Sequence, residues 1–178
     1  MIYDFEIVKS AILKSLRLLI QCDQYIIENA LKEECINHRF ANHLESVFEP
    51  IMPEYFTVDI EYDKSLKDLK EIYDENGKVL RIRPDITIHE RNTHNHNLIA
   101  IEAKKSYMTK HDRKKIKALL SAPYKYSLGC FVSYLPKSNH MAVIIISRPN
   151  VEAYHIHKNG CIIEKNEKLT NKYAAYFA

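Results

Sequence analysis

Two β-branched runs, each broken by charge, constrain this chain more than any other feature. Ile82-Arg83-Pro84-Asp85-Ile86-Thr87-Ile88 and Leu98-Ile99-Ala100-Ile101-Glu102-Ala103-Lys104 both alternate with period two, as strands do. Between them lies Arg91-Asn92-Thr93-His94-Asn95-His96-Asn97, a polar stretch of the kind that turns a hairpin. Residues two apart on a strand share a face. Glu102 and Lys104 therefore point one way, while Ile99, Ile101 and Ala103 point the other way into a core. Asp85 shares its face with Arg83, Thr87 and His89, opposite Ile86 and Ile88. Paired as a hairpin, the two strands carry Asp85, Glu102 and Lys104 on one polar face.

Carboxylates of this kind are hard oxygen ligands, suited to Mg2+ with Mn2+ as a substitute. A lysine beside such an ion can orient or help deprotonate an attacking water and offset developing charge. The plainer alternative has Asp85 capping a turn and Glu102 with Lys104 on an exposed strand face. The context favours the metal site, because the charged pair interrupts a run that is otherwise apolar.

Length and composition set the frame. The 178 residues can bury a sizeable core, nothing splits them, and residues 1–178 read as one domain. The formal net charge of +3 makes the molecule no polycation, so any nucleic-acid affinity must come from local patches. Cys22, Cys35, Cys130 and Cys161 show no CxxC pair, which predicts reduced, mostly buried thiols. The N-terminus lacks a basic region before an apolar segment, and no apolar run reaches membrane-spanning length. A cytoplasmic protein with no membrane partner is the expectation. Three glycines in the whole chain leave no phosphate-cradling loop.

Residues 5–21 form an amphipathic helix through Val8, Ile12, Leu16, Leu19 and Ile20. Asp23 reads as the N-cap of a second helix, whose stripe runs through Ile26, Ala30, Phe40, Leu44 and Val47. Glu33 and Asn37 fall on that stripe. A carboxylate aimed inward is costly unless paired, protonated or metal-bound, so Glu33 is the candidate here, with Glu34 in reserve. The alternative is a partly exposed Glu33 at a frayed helix. On the next strand, Glu61 could orient a lysine or a metal-bound water, or lie on a solvated acidic face. Residues 64–79 are a charged excursion with a turn signal at Glu75-Asn76-Gly77-Lys78.

After the motif, Thr109 and Asp112 form a capping box for a helix whose Ile116, Leu119 and Leu120 face the sheet. Asp112 is a further candidate for the edge of the site. Lys110, Arg113, Lys114 and Lys117 cluster on the other side, with Lys105 at the end of the motif strand. Such a face could neutralise phosphates in a salt-dependent, sequence-independent way, or merely keep a surface helix soluble. Two strands follow, at 128–135 and 141–147, and residues 151–165 read as a hairpin turning at Asn159-Gly160. The tail at 172–177 docks on the body or on a second subunit. The pair His94 and His96 suggests zinc, but without a Cys/His framework an exposed loop explains it better.

Taken together, these segments resemble the PD-(D/E)xK nuclease superfamily, in particular small, uncharacterised bacterial members. The resemblance covers about residues 24–135. It rests on Glu33-Glu34-Cys35-Ile36-Asn37-His38-Arg39-Phe40-Ala41, on Glu61-Tyr62 and on Arg83-Pro84-Asp85-Ile86-Thr87-Ile88-His89. It implies an α/β restriction-endonuclease-like fold: a core of helix, three antiparallel strands, helix and strand, its mixed central sheet flanked by helices. Those elements map near 24–48, 55–63, 81–90, 98–105, 109–122 and 128–135, with an extra N-terminal helix and C-terminal strands. The resemblance further implies a metal-dependent nuclease acting on nucleic acid, DNA in preference to RNA, and leaving 5′-phosphate ends. Asp85, Glu102 and the Ala103 carbonyl would hold the metal, Lys104 would position the water, and Glu33 would complete the site. Restriction, repair and defence are compatible roles, and a homodimer or a partner protein would supply specificity. The alternative is a catalytically silent nucleic-acid-binding or regulatory domain of the same fold.

Overall fold

The computed structural model describes residues 4–73, 77 and 79–177. Helix α1 (Phe5–Glu28) is capped by Asp4, whose carboxylate accepts the Glu6 amide at 2.8 Å, and α2 (Glu33–Phe48) packs against it. Strand β1 (Thr57–Ile60) is followed by two short hairpins, β2 (Lys64–Ser65) with β3 (Asp68–Leu69) and β4 (Glu71–Tyr73) with β5 (Val79–Arg81). Then come β6 (Ile86–His89), β7 (Asn97–Lys104), α3 (Lys110–Leu119), β8 (Leu128–Ser133), β9 (His140–Ser147), β10 (Asn150–His157), β11 (Ile163–Lys165) and α4 (Glu167–Phe177).

Seven strands form one mixed sheet in the order β1-β6-β7-β8-β9-β10-β11. Among the described residues only β7 and β8 run parallel, and α3 makes the crossover between them, as a parallel connection requires. α1 and α2 cover one face over Ile86, Ile88, Ile99 and Ile101. α3 and α4 cover the other, over Ala100, Phe131, Ile144 and Ile146. The succession α2, β1, β6, β7, α3, β8 is the restriction-endonuclease-like order that the resemblance implies. The tail docks on the body as α4, where Tyr173 and Phe177 are buried against Phe131.

Several boundaries differ from the expectation. α1 runs through Asp23, where the backbone departs from helical angles (φ −129°, ψ 22°), and the chain breaks at residues 29–32 instead. Asp23 is not an N-cap because its carboxylate is used across the helix pair: Arg39 Nε and His43 Nε2 each lie at 2.7 Å. Ile26 and Ala30 thus precede α2, and Glu33 is its first residue. Strand pairing at 55–63 and 81–90 is shorter than expected, since Glu61 turns left-handed (φ 53°) and Pro84 offers no amide. The turn signal at Glu75-Asn76-Gly77-Lys78 lies outside the described residues apart from Gly77, which has a φ of 75°. The four thiols are free, but Cys22 and Cys35 are exposed; only Cys130 and Cys161 are buried. Among the described residues, no helix is long and apolar enough to cross a membrane.

Gly129 sets how closely α3 approaches the sheet. A β-carbon there would lie 2.5 Å from Ile116 Cγ2, on a buried, β-branched side chain with little freedom to move. Gly129→Ala is therefore expected to destabilise the protein by about 1–3 kcal/mol, read by chemical denaturation. A variant as stable as the parent would show that α3 is not seated at this contact.

Candidate active site

Asp85 stands at the entry to β6, directly after the buried Pro84. Its amide donates to the Ile101 carbonyl at 3.0 Å and its carbonyl accepts from the Glu61 amide at 2.9 Å, so it is held on both sides of the strand. Ile86 pairs with Ile101, so one step back along the antiparallel register sets Asp85 across from Glu102. Asp85 Oδ2 accepts the Ala103 amide at 2.7 Å. The structure thus brings Asp85, Glu102 and Ala103 together.

Glu102 is only 1% exposed, beneath α3 in the middle of the sheet. An unpaired carboxylate there would cost several kcal/mol. Lys115, on α3, meets it: Nζ lies 2.7 Å from Oε2 and also donates to the Arg83 carbonyl at 3.0 Å. The other oxygen, Oε1, is buried without a hydrogen-bond partner. Burial first, then the neighbouring Asp85 carboxylate, push the Glu102 carboxyl up to about 8, against the pull of Lys115. Burial also raises Asp85, helped by Glu33 and opposed by the Ala103 amide, Lys115 and Lys104. Two crowded carboxylates, one with an orphaned buried oxygen, are a donor set that fits a hard divalent cation. Among the described residues no three His, Cys, Asp or Glu side chains are grouped to hold a metal. Mg2+, however, needs only one or two carboxylates, with waters and substrate phosphates completing its shell.

Lys104 is held from α3 as well. Its Nζ lies 2.8 Å from Asp112 Oδ1, and Asp112 is 2% exposed. Asp112 Oδ2 accepts from the Thr109 amide at 2.8 Å and the Thr109 hydroxyl at 2.6 Å, closing the expected capping box. Burial would lower the Lys104 ammonium, but Asp112, Glu102 and Asp85 together raise it. Burial works against ionisation of Asp112 too, yet Lys104 and Thr109 hold its carboxyl below the usual range.

Glu33 joins from the first turn of α2, where its Oε1 accepts the Lys105 amide at 2.8 Å. Glu34 is exposed. Asn37, the other polar residue on the predicted stripe, accepts from the buried Tyr134 hydroxyl at 2.7 Å, a packing role. Glu61 pairs with Arg83 at 2.9 Å, half-exposed. His94 and His96 are taken by Ser65 at 2.8 Å and by Glu90 at 2.5 Å.

The predicted basic residues lie along α3 and just after β7. Lys110 and Lys117 are exposed, and Lys114 is half-buried. Arg113 lies over the Tyr176 ring at 5.1 Å, with its Nε buried, while Lys117 Nζ lies 5.6 Å from the same ring. Lys105 Nζ donates to the Ala30 carbonyl at 3.2 Å. Sequence reasoning missed Lys115. Its position, three residues after Asp112 and four before the buried Leu119, is the signal that finds it: all three share the sheet-facing stripe of α3.

No family model matches the sequence, and no curated protein does. Among solved structures, the chain is similar to NucC of P. aeruginosa ATCC27853 in its cAAA-bound form. That alignment spans 99% of this chain and 92% of the other, with a TM-score of 0.39 and 8% identity. A likeness so distant assigns no chemistry to this chain.

In the folded, metal-free protein the Glu102 carboxyl keeps its proton up to about pH 8, whereas the unfolded chain releases it near the ordinary 4.5. Between those limits the folded state binds more protons, so stability falls as pH rises from about 4.5 to 8 and then levels off. Glu102→Gln removes this dependence. In EDTA its melting temperature is expected to gain on the parent by several degrees between pH 5 and pH 8. A constant offset between the two proteins across that range would contradict the assignment.

Proposed function

We propose that this chain is a nuclease that hydrolyses phosphodiester bonds of nucleic acid, DNA in preference to RNA, with Mg2+ as its ion. The observation that carries the reading is the buried Glu102 with its unpartnered Oε1, set across from Asp85 and flanked by two lysines. Buried charge of this kind weakens a fold, and such groups cluster at functional sites. Asp85 and Glu102 would hold Mg2+, or Mn2+ in its place, with the Ala103 carbonyl as a backbone ligand. When bound, the ion polarises a phosphoryl oxygen and lowers the pKa of its water. Lys104, steadied by Asp112, orients the water for in-line attack and offsets charge on the phosphate. Lys115 adds a second ammonium on the Glu102 side. Glu33 fixes the strand end through the Lys105 amide. Lys105, Lys110, Arg113, Lys114 and Lys117 supply phosphate contacts without sequence preference.

In this reading residues 1–178 act as one nuclease domain in the cytoplasm, in restriction, repair or defence, with a second copy or a partner protein setting specificity. One observation favours the silent alternative: both lysines are already engaged by acidic side chains, Lys104 by Asp112 and Lys115 by Glu102.

A cleavage assay separates the two. Wild type, Asp85→Ala and Lys104→Ala are incubated with supercoiled plasmid, linear duplex, single-stranded DNA and RNA, in Mg2+, Mn2+ or EDTA. The expected result is metal-dependent cutting that falls by about a hundredfold or more in each variant. A folded wild type that cuts nothing and is not stabilised by Mn2+ would sink the nuclease and leave the silent domain.

A further inference from the structure

β7 and β8 run parallel, so both chains leave the sheet at the same edge. Here residues 105–107 after β7, 135–138 after β8 and 28–30 at the end of α1 line an open pocket of about 520 Å³. That lies within the roughly 300–1,000 Å³ of small-ligand sites. The pocket begins one residue past Lys104, and the Glu33 carboxylate ties its first residue to the cluster of acids.

Its chemistry is specific. The walls are mainly apolar, and the half-exposed Tyr107 lies at the rim with Lys105 and Lys137. Glu28, an acidic residue of the lining, accepts from Gln24 at 2.6 Å. An aromatic ring and apolar walls take the face of a base, and ammonium groups beside them take its phosphates.

One wall is also braced. Lys158 is 5% exposed and donates to the Leu135 carbonyl at 2.7 Å and the Pro136 carbonyl at 3.3 Å. Leu135 is held left-handed (φ 46°), a conformation that costs about 1 kcal/mol or more for a residue with a β-carbon. The buried Lys158 ammonium holds the loop in this shape despite the strain at Leu135, as a preorganised binding wall requires.

We propose that the pocket takes one unstacked nucleotide of the substrate strand, beside the phosphodiester addressed by Asp85 and Glu102. The chain then acts on single-stranded or locally unpaired nucleic acid, because a base inside a continuous duplex is stacked on both faces and cannot enter. This rests on the nuclease reading only for the identity of the neighbouring bond.

The test is equilibrium binding by fluorescence anisotropy in EDTA, using short labelled single strands, deoxy and ribo, and the matching continuous duplex. Single strands are expected to bind about tenfold or more tightly than duplex. Tyr107→Ala should lose roughly tenfold for single strands alone, while Tyr107→Phe, which keeps the ring, binds as wild type. Lys137→Ala should weaken binding and flatten its salt dependence. Preference for the ribo strand with the same Tyr107 dependence supports the pocket and moves the substrate to RNA. Equal affinity for strand and duplex, no binding at all, or an indifferent Tyr107→Ala overturns the proposal. A protein that binds as described but never cuts keeps the pocket and loses the nuclease. One that cuts continuous duplex equally well as Tyr107→Ala keeps the nuclease and loses the pocket.

Discussion

Burying the Glu102 carboxylate in the middle of a seven-stranded sheet is the condition to which the surrounding structure answers. At 1% exposure it has little contact with solvent in the metal-free protein, so most of its compensation comes from α3 as Lys115. For that ammonium to reach, α3 must lie close against β8, and Gly129 leaves the space. The same helix turns Asp112 toward Lys104, with Thr109 capping both the helix and the carboxylate. One crossover helix thus closes the parallel β7–β8 connection, covers the sheet and steadies both lysines of the site.

The compensation is incomplete, and the shortfall sits at one atom. Lys115 satisfies Oε2 of Glu102 but leaves Oε1 orphaned, while Asp85 adds a second carboxylate that raises the cost of ionising either. A structural ion pair optimised for stability would have satisfied both oxygens or dispensed with the charge. This shortfall lies where β6, β7 and α3 meet, with Glu33 of α2 at the edge. The distant pairs, such as Asp23 with Arg39 and His43, are fully partnered.

The strand readings around residues 82–104 were legible because alternation on a strand is a local property. Ile99, Ile101 and Ala103 had to face a core, and the antiparallel register then carried Asp85 to Glu102. The helix boundary near Asp23 was not legible. Its local capping signal was overruled by two residues of α2, sixteen and twenty positions away. Nor could a charge count distinguish Arg113, folded under Tyr176 of α4, from the exposed Lys110.

By itself, then, the sequence determined which faces are apolar, that the two runs around 82–104 pair as strands, and that Asp85, Glu102 and Lys104 share a side. These depend on the two- and 3.6-residue periods of the backbone, which act over a few residues. Only the tertiary structure decided which charge meets which: Lys115 rather than Lys104 on Glu102, Asp112 on Lys104, Glu33 on the Lys105 amide, and the pocket beyond β7 and β8. Those pairings join residues from different elements, and the strength of a buried charge depends on what packing places within a few ångströms of it.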